Sequence, residues 1–508
     1  MSRIDPLSIA LSGLTATNRA LGVVAQNIAN ANTPGYIREA ASQSALGAGG
    51  LPVGVVAGIT VRELDVAVQN QLTGQNAATA QDATRSDALA QLDQVQGTPG
   101  AGTDLTALLG KLRDGFSTLL TDPASAPQQQ AIVSAGDAFT DQLHAGAAEI
   151  GRQRQAAQDQ LVADIGTLNA DLRQIGDLSH QIVQLRAVGS STADLENQRD
   201  GSAQDASRLL GLTFVPRTNG DVTVLTTGGL QLATDGSASL KVSAATLGPS
   251  SFYPGGGAPG VTLNGQDVTA TLRSGSIGGA LALRDQTLPT YQGTLDEFAL
   301  TVATRFDRQG LTLFTDPTGA VPVPAAAGPR QAPYVGLAGT LIVNPAVRTT
   351  PALVRDGTTA VVAAPGGASA FTPNPPGGPA GFNTMITRVL DYALTDQVAA
   401  NTPQPTPNLT SMGPNGSLAS TMAAPASIGA FATAIVAGQA ADAADAARAA
   451  TGSSDAQKVL QQTLARGSGV SIDAELATMV KLQNTYAANA RVITTMQALW
   501  TQLLQTVQ

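Results

Sequence analysis

Apolar residues recur at alternating steps of four and three near both ends of the chain. Leu7, Leu11, Leu14, Asn18, Leu21, Ala25 and Ile28 follow that spacing in the first thirty residues. Leu476, Met479, Gln483, Tyr486, Ala490, Ile493, Gln497, Trp500, Leu504 and Val507 follow it in the last. A mean step of about 3.5 residues predicts a coiled-coil seam, narrower than the apolar stripe of a globular surface helix. Asp5 as a cap, Pro6 at the first helical position and an Ile4–Ile9 staple predict where the first helix begins. Thr33-Pro34-Gly35 predicts where it ends. Asp473 and Glu475 place negative charge in the first turn of the last helix, where it suits the dipole. Neither seam buries its apolar side alone, so the simplest arrangement pairs the two termini.

Residues 67–210 read as helical, with a long seam through Leu161, Ile165, Leu168, Leu172, Ile175, Ile182 and Leu185. Residues 281–309 and the Ala-rich run from 428 to 464 predict two further helices. Two insertions break this pattern. Residues 211–275 carry short Val/Thr/Leu runs punctuated by Asn219-Gly220, Asp235-Gly236 and Asn264-Gly265, which are hairpin-turn signals. Residues 311–425 hold 17 of the 28 prolines and eight charged residues, so they predict short strands, one short helical stretch near 382–394, and extended loops over 371–379 and 402–407. The predicted class is multidomain α+β. Paired terminal coiled-coil helices (1–66 with 467–508) join a helical-bundle domain (67–210 with 276–310 and 427–466) and β-rich outer domains with a Pro-rich insertion (211–275 with 311–426).

The chain has 508 residues with 28 Lys+Arg against 37 Asp+Glu, and its charge of −9 without a basic cluster argues against nucleic-acid binding. Zero cysteines and two histidines, His144 and His180, remove thiolate chemistry and leave little for a metal centre. Both histidines are expected at a surface or interface. Gly255, Gly257 and Gly260 satisfy G-x-G-x-x-G, but Pro259 lies inside it and a strand-like run follows, so a turn is expected. Glu196 and Asp200 flank Arg199 on a helix, where a solvated face or helix-end salt bridge is the better reading than an acid–base pair. No catalytic residue, metal or cofactor is expected. Ser8, Ser12, Thr15, Thr17 and Asn18 interrupt the first apolar stretch, and no run of 18 apolar residues occurs, so neither a cleaved signal peptide nor membrane insertion is expected.

The run Asn27-Ile28-Ala29-Asn30-Ala31-Asn32-Thr33-Pro34-Gly35-Tyr36 places three Asn in six residues beside a seam. Following an amphipathic helix, it resembles the N-terminal signature of the bacterial flagellar axial proteins: rod, hook and hook-associated. Residues Ser468 to Glu475, with Gln483, Tyr486, Ala490, Val492 and Ile493, resemble the matching C-terminal signature. Leu195-Glu196-Asn197-Gln198-Arg199-Asp200, Leu209-Leu210-Gly211-Leu212, Ser276–Asp285, Val343-Asn344-Pro345-Ala346 and Tyr36-Ile37-Arg38 are similar to the hook-associated members found at the hook–filament junction.

The resemblance implies a non-enzymatic structural subunit that lies between hook and filament and is needed for filament assembly. It also implies export through the flagellar type III apparatus to the cell exterior. Implied partners are a homo-oligomeric ring of the same chain, the hook protein, a second junction protein and an export chaperone. Assembly contacts are expected at Leu7, Leu11, Leu14, Asn18, Leu21, Asn27, Ile28, Asn30, Pro34, Gly35 and Tyr36. They are also expected at Leu476, Met479, Gln483, Tyr486, Ile493, Trp500 and Leu504. A hook or distal rod subunit is the alternative. A wall-cutting glycosidase within 211–425 is disfavoured, because 311–425 offers only Asp316, Asp356, Asp391 and Asp396 and 211–275 only Asp221, Asp235 and Asp267.

Overall fold

A computed structural model describes residues 6–33, 35–48, 51–96 and 102–506. They form two compact units, one built from Met1–Ala80, Ile165–Leu240 and Gly452–Gln508, the other from Gln81–Asp164 and Lys241–Thr451. Three of the four boundaries fall inside long helices and the fourth inside a two-residue strand. Ile4, Asp5, Pro34 and Val507, which figure in the expected caps and seams, lie outside the described residues.

In the first unit, α1 (Pro6–Ala29) is followed by the antiparallel strands β1 (Glu39–Ala48) and β2 (Leu51–Arg62). Then come the start of α2 (Val66–Gln96) and, after α3 (Leu105–Thr121) of the other unit, the end of α4 (Ala126–Ala187). α5 (Ala193–Leu209) leads into a three-stranded meander, β3 (Leu212–Pro216), β4 (Val222–Thr226) and β5 (Gln231–Leu232). Gly220 supplies the positive φ of +98° that the β3–β4 turn needs, so the Asn219-Gly220 signal is a real hairpin turn. Gly176 on α4 is required for a different reason: a Cβ there would stand 2.0 Å from the Thr234 carbonyl oxygen. β6 (Leu240–Lys241) marks the boundary, and the Asn169 amide pairs with both backbone groups of Leu240, at 2.8 and 3.1 Å.

Polar nodes tie the helices of this unit together. Asn76 on α2 donates to Ser207 of α5 at 3.0 Å and accepts from Gln457 at 2.7 Å. Gln457 belongs to α11 (Ile428–Ser468), which α12 (Ile472–Thr506) follows. By length and mean hydropathy α1 could cross a membrane, which the interruptions in its sequence did not suggest. The same features suit a packed helix, and its buried positions are contacted by β1, β2 and α12.

The second unit is organised around α6 (Gly275–Ala282) and α7 (Leu288–Arg308), joined without a break by one π-helical turn, Leu283–Thr287. Six phenylalanine rings form a connected chain at centroid distances of 5.3 to 6.1 Å: Phe116, Phe306, Phe314, Phe139, Phe298 and Phe431. They come from α3, α4, α7, α11 and the short strand after α7, which explains why α7 is buried nearly all round. The hairpin β7 (Thr262–Leu263) and β8 (Gln266–Asp267) turns at Asn264-Gly265, both at positive φ. Gly255 and Gly257, at φ +86° and +89°, lie in the tight turn that closes on Phe252, so G-x-G-x-x-G is a turn here.

The Pro-rich segment holds only short elements: β9 (Phe314–Thr315) paired with β10 (Ile342–Val343), α8 (Pro345–Thr349), α9 (Leu353–Asp356), α10 (Thr384–Arg388), and β11 (Gln397–Ala399) paired with β12 (Thr402–Pro403). Thr402 and Pro403 therefore belong to a strand pair rather than a linker, and Phe371 is buried within a bridge to Val361. Proline denies this segment long ladders, and apolar side chains anchor it instead.

Arg284, in the π-helical turn, is completely buried. It donates to Asp285 through two bonds of 2.8 and 2.7 Å, to Gln158 at 2.7 Å and to the Pro259 carbonyl at 2.9 Å. Arg154 in turn donates to the Arg284 carbonyl at 2.9 Å. The Leu-Arg-Asp stretch is thus a structural pin.

Asp296 on α7 is also fully buried and accepts from the Gly336 and Ala338 backbone N–H groups and from Gln292. Burial pushes its carboxyl up to about 7, against the lowering effect of those bonds and with Glu297 adding repulsion. The folded chain therefore holds a proton here that the unfolded chain releases above its ordinary value of 3.8. Stability contributed by this site rises as pH falls from 8 towards 4 and is lost as pH climbs through 7, with a slope of at most about 1.4 kcal/mol per pH unit. Urea unfolding of the wild type and Asp296→Asn between pH 5 and 8 checks this. The variant should lose that slope, and equal slopes would refute the assignment.

Candidate assembly surface of the terminal helices

The two terminal helices pack together in the first unit. A Cβ on Gly13 would meet the Asn489 amide at 3.1 Å, and Arg38, just beyond α1, reaches Glu475 in the first turn of α12 at 2.6 Å. These two contacts define an antiparallel pair, in which Pro6 lies opposite roughly residue 496.

The face that α1 buries carries Ala10, Ala16, Thr17, Ala20, Val23, Val24 and Asn27. The 7/11/14/18/21/25/28 stripe lies about a third of a turn round from it at 3.6 residues per turn. Leu7, Leu14, Leu21 and Ile28 are half-buried, while Leu11, Asn18 and Ala25 are exposed. The hairpin explains the shift. The Val55 N–H donates to the Ser12 hydroxyl at 3.1 Å, and the Gln43 amide to the Ala16 carbonyl, so β1–β2 covers the small-residue side. Small side chains permit that close approach, and the leucines are left outside it.

α12 is sparsely covered. Its half-buried residues are Thr478, Met479, Leu482, Asn489, Ala490, Ile493 and Met496. Leu476, Gln483 and Tyr486 are exposed. Trp500 and Leu504 lie on the same face as Leu482, Ile493 and Met496, yet are 58 % and 62 % exposed. Leu499 and Leu503 widen this bare apolar end, and Leu46, Val56, Ile59 and Val61 form a second exposed stripe on the hairpin. Exposed apolar residues grouped in this way make these two faces candidate interaction surfaces.

The other end of the pair is locked by polar contacts. Asn27 is fully buried; its amide donates to the Glu39 carbonyl at 2.8 Å and its oxygen accepts from the Glu39 N–H at 3.0 Å. The Tyr36 hydroxyl also donates to that oxygen, at 3.1 Å. Asn27 thereby substitutes for a strand partner and fixes where the chain leaves α1. Burial, then the Glu39 charge, raises the Tyr36 phenol, so it remains a donor. Asn30 donates to the Gln26 carbonyl as a helix-end cap, and Gly35 turns at φ +80°.

Arg38 ties three segments together: its N–H donates to the Ser468 carbonyl, and its guanidinium bonds Glu63 and the completely buried Glu475. The Ser468 hydroxyl accepts from the Asp65 N–H at 2.9 Å. Arg62, at the end of β2, is gripped by α5 through Glu196 at 3.1 Å, Asn197 at 3.1 Å and Asp200 at 2.7 Å. Burial works to raise the Glu196 carboxyl, but bonds from Thr192 and Arg186 and the Arg62 charge hold it below the usual range. Glu196 and Asp200 are therefore a part-buried salt bridge to the hairpin. Arg38 and Ser468 stood out only through resemblance; Arg62 and Glu63 carried no signal, since their partners are distant in sequence. His144 bonds the Leu341 carbonyl and His180 is exposed.

Residues 7–36 match the profile of the flagella basal body rod protein, residues 460–506 that of the C-terminal region of the flagellar basal body rod FlgEFG proteins, and residues 89–320 that of the helical domain of the flagellar hook-associated protein FlgK. The chain belongs to the flagellar axial proteins. Among axial relatives, flagellar hook-associated protein 1 of Salmonella typhimurium is 28 % identical over 321 residues, covering 59 % of this chain and 55 % of its own. The Escherichia coli protein of that name is 27 % identical over 317 residues, covering 59 % and 56 %. The chain spans about half the length of the curated relatives it matches. The solved structure of the flagellar hook junction protein FlgK from Burkholderia pseudomallei matches at 25 % identity with a TM-score of 0.41, over 51 % of this chain and 47 % of that one.

Proposed function

We propose that this chain is a structural, non-enzymatic subunit of the bacterial flagellum at the junction between hook and filament, required for filament assembly. The observation that carries the reading is the antiparallel terminal pair. One end is locked by Asn27, Arg38 and Glu475, and the other leaves Trp500 and Leu504 bare for a neighbouring subunit. The leucine stripe of α1 and the bare end of α12 would make lateral and axial contacts in a ring of identical copies, with the hook protein on one side and a second junction protein on the other. Exposed apolar residues of this kind need shielding before assembly, which fits an export chaperone and secretion through the flagellar type III apparatus without a cleaved signal peptide. The terminal pair serves as the axial region.

The match of residues 89–320 to the hook-associated helical domain favours this reading over a hook or distal rod subunit. Deleting the gene in the source bacterium tests it. Electron microscopy should show hooks without filaments, with flagellin lost to the medium. Missing hooks would move the subunit down the axis, and normal flagella would overturn the proposal.

A further inference from the structure

The chain has three Asn-Gly pairs: Asn219-Gly220, Asn264-Gly265 and Asn415-Gly416. At such a pair a polypeptide readily attacks its own side chain, because glycine has no Cβ to hinder the approach of its backbone nitrogen. Sequence makes the three alike, and the structure separates them.

At the first pair the Asn219 side-chain oxygen accepts from the Asp221 N–H at 3.1 Å, and the Gly220 N–H donates to the Arg217 carbonyl at 3.0 Å. Gly220 is buried, and a Cβ there would stand 2.8 Å from the Arg186 side chain. At the third pair the Asn415 oxygen accepts from the Ser417 N–H at 3.2 Å and from its hydroxyl at 2.8 Å. The Gly416 N–H donates to the Gly413 carbonyl at 3.3 Å. In both turns the side-chain carbonyl and the backbone nitrogen that would attack it are each held by a bond that must break first.

Asn264-Gly265 has neither restraint. Among the described residues, no hydrogen bond reaches the Asn264 side chain or the Gly265 N–H. Both residues are exposed, and a Cβ on Gly265 would meet nothing within 4 Å. Their turn joins β7 and β8, which pair over two residues each, with Asn264 at φ +52°. So short a ladder opens easily, and the Asn264 backbone can then rotate until the Gly265 nitrogen faces the side chain.

We propose that Asn264 is a site of spontaneous covalent modification, at which the folded chain converts asparagine to aspartate and isoaspartate. The Gly265 nitrogen gives up its proton and attacks Asn264 Cγ; the Cγ–Nδ2 bond breaks, and Nδ2 leaves as ammonia. Water then opens the resulting succinimide. Cleavage at Cγ leaves aspartate, and cleavage at the backbone carbonyl leaves isoaspartate, with the chain running through Cβ. Either product adds a negative charge three residues before Asp267, which holds the Tyr253 and Thr269 hydroxyls at 3.0 and 2.7 Å. Isoaspartate also adds one carbon to the main chain inside a two-residue turn, which the Leu263–Gln266 and Thr262–Asp267 pairs do not accommodate. This inference is independent of the junction reading.

Incubating the full-length chain at mildly alkaline pH and physiological temperature tests it, with the three Asn-Gly peptides followed by mass spectrometry and isoaspartate by methyltransferase labelling. Asn264 is expected to convert at least about tenfold faster than Asn219 and Asn415, the difference that retained hydrogen bonds make to a barrier. In urea, where the three turns are lost, the rates should converge. The Asn264 rate should also climb with pH, since the attacking nitrogen must lose its proton. Equal rates at the three pairs in the folded chain, an Asn264 that reacts only in urea, or aspartate formed without isoaspartate would each overturn the proposal.

Discussion

Trp500→Asp and Leu504→Asp variants are expected to fold as the wild type does and yet be missing from flagella. Both side chains are more than half exposed, so a carboxylate there stays solvated in the free subunit and costs its stability little. In an assembled contact the same carboxylate would be stripped of water beside apolar neighbours, a penalty of several kcal/mol per interface. At 1.4 kcal/mol per tenfold, a loss of about 3 kcal/mol weakens each contact more than a hundredfold, and a closed ring repeats that loss at every subunit. Leu11→Asp should behave alike, because Leu11 is 56 % exposed. Ile493→Asp differs, since Ile493 is half-buried on the face of α12 that meets α1, and should loosen the pair itself. The checks are circular dichroism and urea unfolding of the purified chains, with complementation of a deletion strain scored by electron microscopy. Filaments of normal number on cells carrying Trp500→Asp would remove the bare end of α12 from the assembly surface.

The largest effect on stability is expected from Arg284→Met. Arg284 is at 0 % exposure, and its removal leaves the Asp285 carboxylate, the Gln158 oxygen and the Pro259 carbonyl without their donor. Breaking one side of a buried, hydrogen-bonded charge pair costs about 3–5 kcal/mol, because the remaining charge is uncompensated. Arg284→Lys keeps the charge but loses the two-pronged geometry, so an intermediate loss of about 2 kcal/mol is expected. Urea titration of the full chain, monitored in the second unit by tyrosine fluorescence, measures both. A loss below about 1 kcal/mol for Arg284→Met would mean that the π-helical turn is held by its apolar neighbours instead.

Helices were the most legible part of the chain, and the reason is local. Residues 281–309 read as helix because apolar residues keep one period, and the structure departs from that by starting the helix earlier, at Gly275, and by a single π-helical turn that no periodicity marks. Asn219-Gly220 and Asn264-Gly265 were legible because positive φ is a demand that few residues meet. Within the Pro-rich segment, residues 402–407 read as loop and yet contribute Thr402 and Pro403 to a strand pair, since two-residue strands owe their existence to the groups they meet rather than to their own sequence.

Sequence by itself determined the helical spans, the pairing of the two ends, the turns, and through the Asn-rich run and its C-terminal counterpart the family. Tertiary structure alone decided which face of α1 is buried, because alanines and threonines carry little hydropathy contrast yet permit the hairpin to approach closely. It alone decided that Asn27 acts as a strand partner and that Arg62 belongs to Glu196 and Asp200, more than 130 residues away. Hydropathy periodicity reports what one helix prefers to bury, and a charge or amide reveals its partner only when the chain has folded back to supply it.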